Sequence, residues 1–185
     1  MEQPALTTGA EQRAGPFTHL RVVLLALSGG ALGLVGAFFA EARTGGLLLL
    51  PLIAAPIIEE MLKPAGVFLA LVRWPQALRG QLYRALLCAG AGVVFGLLES
   101  LVYVTIYAPD HPDWYVPFRF SVPVAMHAGA SYVVGLGVGA GVVDWVNGRG
   151  PLPKTSRNYY VAGVAIHALY NLTAVTLALA GPLDF

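Results

Sequence analysis

Charge is scarce in this chain. Only 11% of its 185 residues are Asp, Glu, Lys or Arg, against about 25% in soluble domains. With 57% hydrophobic residues and a mean hydropathy of +0.69, the composition excludes an ordinary water-soluble fold. The charge that exists is balanced, net +1, and forms no basic patch interleaved with aromatics, so nothing points to nucleic acid. Cysteine is nearly absent as well. The single Cys88 excludes an intrachain disulfide and any cysteine-rich zinc motif, and it reads as a small apolar packer in a helix. No internal repeat is visible, which argues against the inverted repeats on which many carriers are built.

What the chain has instead is long apolar runs. Five of them, near residues 21–40, 46–73, 84–108, 119–146 and 158–181, are long enough to cross a ~30 Å hydrocarbon core as helices. The expectation is an all-α, polytopic membrane helix bundle of about five transmembrane helices, forming a single domain over residues 19–185. Residues 1–18 are polar and contain proline and glycine, and are expected to be a mobile cytoplasmic tail. The first run ends in Ala40-Glu41-Ala42, a small-x-small pattern like a signal-peptidase site, but its apolar length exceeds a usual signal core and it reads as a retained helix. Small-residue faces at Gly29/Gly33, Gly92/Gly96, Gly135/Gly139 and Gly137/Gly141 suit close helix crossings. With five spans, Arg13, Arg21, Arg73, Arg79, Arg84, Arg149, Lys154 and Arg157 fall on one side and Arg43 and Arg119 on the other. This bias puts the N-terminus in the cytoplasm and the C-terminus outside.

The few charges inside these runs carry the functional information, because each costs ~2.5–3.5 kcal/mol near the bilayer centre on insertion scales. Glu59, Glu60 and Lys63 interrupt the second run, Glu99 the third, His127 the fourth, and His167 with Asn171 the fifth. At about 1.5 Å rise per residue they reach similar depths, as one shared polar site would require. Glu59 and Lys63 are four apart and share a helix face, while Glu60 lies ~100° round from Glu59. Two carboxylates and one lysine in a low-dielectric site divide naturally into one that takes a proton and one that gives it or positions groups. Pro56 and Pro64 bracket the pair and free the carbonyls of Leu52 and Glu60, either for trapped water or as packing kinks. Phe95, Glu99 and Tyr103 are successive turns of one face. Tyr103 reads either as a partner of Glu99 or as an interfacial aromatic. Ser131 follows His127 at helical spacing, with nothing else to mark it as a nucleophile.

Glu59-Glu60-Met-Leu-Lys63, Phe95-Gly-Leu-Leu-Glu99, His127 and His167-Ala-Leu-Tyr-Asn171, in that order on successive helices, resemble the PrsW family of intramembrane proteases. That family is related to the CAAX prenyl protease and bacteriocin-processing (CPBP) family, which usually has Arg one residue beyond the position of Lys63 and His in place of Glu99. The resemblance covers about residues 46–175. It implies a glutamate-dependent peptidase that needs no metal and no cofactor, acting on a membrane-anchored protein such as an anti-sigma factor. Glu59 would be the general base on a water, Glu60 would assist, and Glu99 would share the water. His167 and Asn171 would donate to the oxyanion, His127 would complete the polar shell, and Lys63 and Phe95 would support it. The chemistry of the residues agrees, since hydrolysis needs a tuned base and preorganised oxyanion donors. Neither a Ser-His-Asp set nor a His-Glu-x-x-His motif is present. Three other readings stay open: a zinc enzyme using Glu59, Glu99, His127 and His167, a proton- or ion-coupled carrier, and a prenyl-protein endopeptidase or inactive relative of the same fold.

Overall fold

A computed structural model describes residues 15–44 and 50–180. Residues 1–14, which hold most of the expected tail, and residues 45–49 and 181–185 lie outside them. The described residues form helices and connecting turns, with no β-strand among them. α1 runs Pro16–Thr44 and starts before the expected boundary, so residues 16–18 are helical. A π-helical turn at Leu50–Ala54 leads into α2, Ala55–Leu62, and α3, Ala65–Arg73. α4, Gln81–Val102, continues through a π-helical turn at Tyr103–Tyr107. The short α5, Tyr115–Arg119, precedes α6, Val122–Gly137, and α7, Ala140–Val146. α8, Lys154–Leu179, closes the described chain. α4 packs on α1 and α6, α6 on α8, and α2 reaches α1, α6 and α8.

Among the described residues, four stretches are long and apolar enough to span a membrane: Phe17–Phe39, Gln81–Tyr107, Tyr115–Gly137 and Lys154–Leu179. Their outer faces carry exposed Leu24, Phe39, Leu86, Val122 and Leu169, as lipid contact requires. The second expected span, 46–73, is not one continuous helix in its described part. Pro64 lacks the N–H that would bond the Glu60 carbonyl and its ring crowds that turn, so α2 and α3 separate there, with Pro64 at φ −76°, ψ −2°. Pro56 interrupts nothing, because it occupies the first turn of α2, where no N–H is needed. Protein packs the break: a Cβ on Gly29 of α1 would collide with the Lys63 carbonyl.

The fourth expected span also breaks. After Gly137 the backbone is extended at Val138 and Gly139. Arg84 fills the gap from α4, donating from Nε to the Val138 carbonyl at 2.6 Å and from Nη1 to the Leu78 and Arg79 carbonyls at 2.6 and 3.1 Å. Gln81 donates to the Leu136 carbonyl at 2.9 Å. Backbone left bare in an apolar bundle would cost several kcal/mol per group, and these two polar side chains remove that cost. Next to them lies the apolar core of Val22, Ala26, Val67, Ala70, Leu78, Leu87 and the expected packer Cys88.

Candidate active site

The polar residues of the apolar runs meet in the interior. α2 contributes Glu59 and Glu60 and its C-cap Lys63, α6 contributes His127 and Ser131, and α8 contributes His167, all buried. The close crossing of α4 and α6 makes this possible, since any side chain on Gly92 would strike the His127 backbone carbonyl. Lys63 lies at the centre with no exposed surface. Its Nζ donates to Glu60 Oε1 at 2.7 Å and to His127 Nδ1 at 2.9 Å, and lies 3.9 Å from the centroid of the Phe95 ring. Phe95 in turn meets the His127 ring edge-on, centroids 4.7 Å apart.

The two glutamates differ sharply in their partners. Glu60 is held on both oxygens, by Lys63 and by His167 Nδ1 at 3.0 Å on Oε1, and by the Ser131 hydroxyl at 3.0 Å on Oε2. Glu59 Oε2 comes within 3.3 Å of Lys63 Nζ but lacks the alignment of a hydrogen bond, and it is buried without a hydrogen-bond partner. Its other neighbour is His167 Nε2 at 3.8 Å.

The histidine protons follow from these partners. Lys63 Nζ meets His127 Nδ1 and the Glu99 carboxylate meets Nε2, so a donor on one side and an acceptor on the other together select the ring form with its N–H on Nε2. That nitrogen lies 3.1 Å from Glu99 Oε2, which also accepts from Arg119 Nη2 at 2.9 Å. For His167, Nδ1 donates to the Glu60 carboxylate and Nε2 is turned toward Glu59. The His127 and His167 rings stand perpendicular with centroids 4.7 Å apart.

Of the site residues expected from the sequence, Glu59, Glu60, Glu99, His127 and His167 join one contact network with the supporting Lys63 and Phe95, and Asn171 is half-buried one turn beyond His167 on α8. Glu99 pairs with Arg119 and with His127 Nε2. Two further residues join the network. Ser131 had a spacing signal and turns out to serve Glu60. Arg119 had none beyond being a basic residue on the sparsely charged side. Tyr103 lies under the Arg119 guanidinium, 3.9 Å from ring centroid to Cζ.

Glu59, His127 and His167 also present one ligand atom each within 4.8 Å of one another, a carboxylate-and-imidazole set of the kind zinc uses. Glu99 is not part of it. The Lys63 ammonium lies beside two of the three, 3.3 Å from Glu59 Oε2 and 2.9 Å from His127 Nδ1.

The model of the family described as PrsW family intramembrane metalloprotease covers residues 18–183. No curated protein and no solved structure matches. A match over nearly the whole chain, on an integral membrane bundle with this buried cluster, shows that the chain belongs to the PrsW family of intramembrane proteases.

Proposed function

We propose that this protein hydrolyses peptide bonds of membrane-anchored proteins with a water activated by Glu59, a glutamic rather than a metal-dependent mechanism. The observation that carries this reading is the unequal treatment of the two neighbouring carboxylates. Glu60 is saturated by three donors and acts as the fixed anion that orients Lys63 and His167. Glu59 keeps an oxygen without a hydrogen bond, 3.8 Å from His167 Nε2. A water between Glu59 Oε2 and His167 Nε2 would donate to both, which turns its own lone pairs toward a carbonyl carbon. Glu59 takes the proton as the C–O bond forms and returns it to the leaving amine nitrogen as the C–N bond breaks.

This reading moves His167 from the oxyanion to the water and leaves Asn171, on the same face of α8, as the amide donor to the oxyanion. The Lys63 charge lowers the electrostatic cost of the tetrahedral intermediate. Glu99 acts on His127 rather than on the water.

The family description favours a second reading, with a metal held by Glu59, His127 and His167. The residues do not fit that group as they stand. A dication at 2.0–2.2 Å from such ligands would share their lone pairs with the ammonium of Lys63, which is fully buried and has no route to solvent without rearrangement. Lys63 is itself the cation of the site.

The substrate class proposed is a protein with one membrane anchor, of the anti-sigma-factor kind, entering from the lipid; a prenylated peptide is the alternative within the same fold. The bias of basic residues supports a cytoplasmic N-terminus and an outside C-terminus. The test is cleavage of a panel of single-span peptides by purified protein in detergent, wild type beside Glu59→Gln. Cleavage by the wild type alone supports the reading, and equal cleavage by the variant removes Glu59 from the chemistry.

A further inference from the structure

A buried cation stands outside this chemistry. Arg119 ends α5, at the first residue of the fourth expected span and inside the apolar stretch Tyr115–Gly137, with a side chain 9% exposed. Three interactions fix it: Nη2 on Glu99 Oε2 at 2.9 Å, the guanidinium over Tyr103, and its own backbone carbonyl accepting from the Ser100 hydroxyl at 2.6 Å. Its Nε is buried without a hydrogen-bond partner. An arginine is expensive to hold this way unless its charge is used. Glu99 Oε2, the atom it grips, is the same atom that takes the His127 N–H.

The contacts form an unbroken line: Arg119, Glu99, His127, Lys63, then the α2 carboxylates. Each link fixes the next. Glu99 can accept from only one nitrogen of His127. Lys63 can use only the other, and only if that nitrogen is bare. A flipped ring, or the other tautomer, would aim an N–H at the Lys63 ammonium.

We propose that Arg119 is a positioning residue: by anchoring Glu99 it locks His127 as the Nε2–H tautomer, and so holds Lys63 against the glutamate pair. The consequence for hydrolysis rests on the peptidase reading above; the tautomer does not. Without Arg119 the Glu99 carboxylate, 20% exposed, can turn to solvent, and the His127 ring loses the acceptor that selects its orientation.

The test is nitrogen-15 NMR of histidine-labelled protein in detergent micelles, with His127 assigned by its loss in His127→Gln. Wild type is expected to show His127 protonated at Nε2 and bare at Nδ1. Arg119→Gln is expected to show mixed tautomers at His127 with His167 unchanged, and Arg119→Lys to keep the wild-type signature. If Arg119→Gln does not fold, Glu99→Gln substitutes for it, because its amide can present either an acceptor or a donor to the ring. On a cleaved substrate, Arg119→Gln should lose up to ~100-fold in kcat, the scale of a misplaced catalytic group, with KM within about twofold and most of the loss restored in Arg119→Lys. A wild-type His127 signature in Arg119→Gln, or in Glu99→Gln where that is the folded variant, overturns the proposal. Mixed tautomers in a protein that cleaves nothing would sustain it while removing the peptidase reading.

Discussion

Two ion-pair clusters share the His127 ring, and they are built differently. At the α2 end, two carboxylates compete for one lysine with essentially no solvent, and one carboxylate oxygen is left without a hydrogen bond. At the α4–α5 end, one carboxylate has both an arginine and a histidine, and keeps some exposure. The first cluster is short of donors, the second well supplied with them. An under-supplied buried acceptor is costly to keep, and a site that keeps one has a use for it; a fully supplied pair is suited to holding other groups still. On the proposed mechanism, reaction belongs to the α2 end and orientation to the α4–α5 end.

The comparison can be broken most decisively at Glu59. Glu59→Gln keeps the shape and removes the base, so cleavage should fall by ~10²–10⁴-fold while thermal unfolding in detergent stays close to wild type. A comparable loss of folding in that variant would make Glu59 structural and erase the contrast with Glu60. Lys63→Met should act on stability instead. It strands two buried carboxylates, at about 3–5 kcal/mol, and a visible drop in unfolding temperature should be partly reversed in Lys63→Met combined with Glu60→Gln. Glu60→Gln alone presents an NH₂ where Ser131 or His167 donates, so it should cost about 1–3 kcal/mol and lower activity less than Glu59→Gln. The smallest change sharpens the role of packing: Gly92→Ala places a methyl against the His127 carbonyl and should cost about 1–3 kcal/mol, with activity falling in step with stability.

Much of this site was legible in the sequence because membrane insertion makes polar residues conspicuous. Glu59, Glu60, Lys63, Glu99, His127 and His167 stood out against apolar runs, and their order on successive helices carried the family resemblance. The helical class and the approximate spans followed from run length. The breaks at Pro64 and at Val138–Gly139 were not placed, because whether a proline or glycine in an apolar run bends or ends a helix depends on who satisfies the freed backbone. Here Arg84, some fifty residues away in sequence, does so at Val138. Arg119 was missed for a related reason. Charge at the edge of a span reads as a topology signal, and only the approach of α5 to α4 turns that side chain inward onto Glu99. The unequal environments of Glu59 and Glu60 were likewise out of reach, since Ser131 and His167 come from two other helices.

The central claim is that Lys63 supplies the cation of this site and Glu59 the base. It is tested most directly by measuring bound transition metal and cleavage rate on the same purified samples, before and after chelation and after adding zinc. The account predicts metal well below one equivalent, with a rate that chelator does not lower and zinc does not raise. A rate that disappears with chelation and returns as metal reaches one equivalent would contradict it.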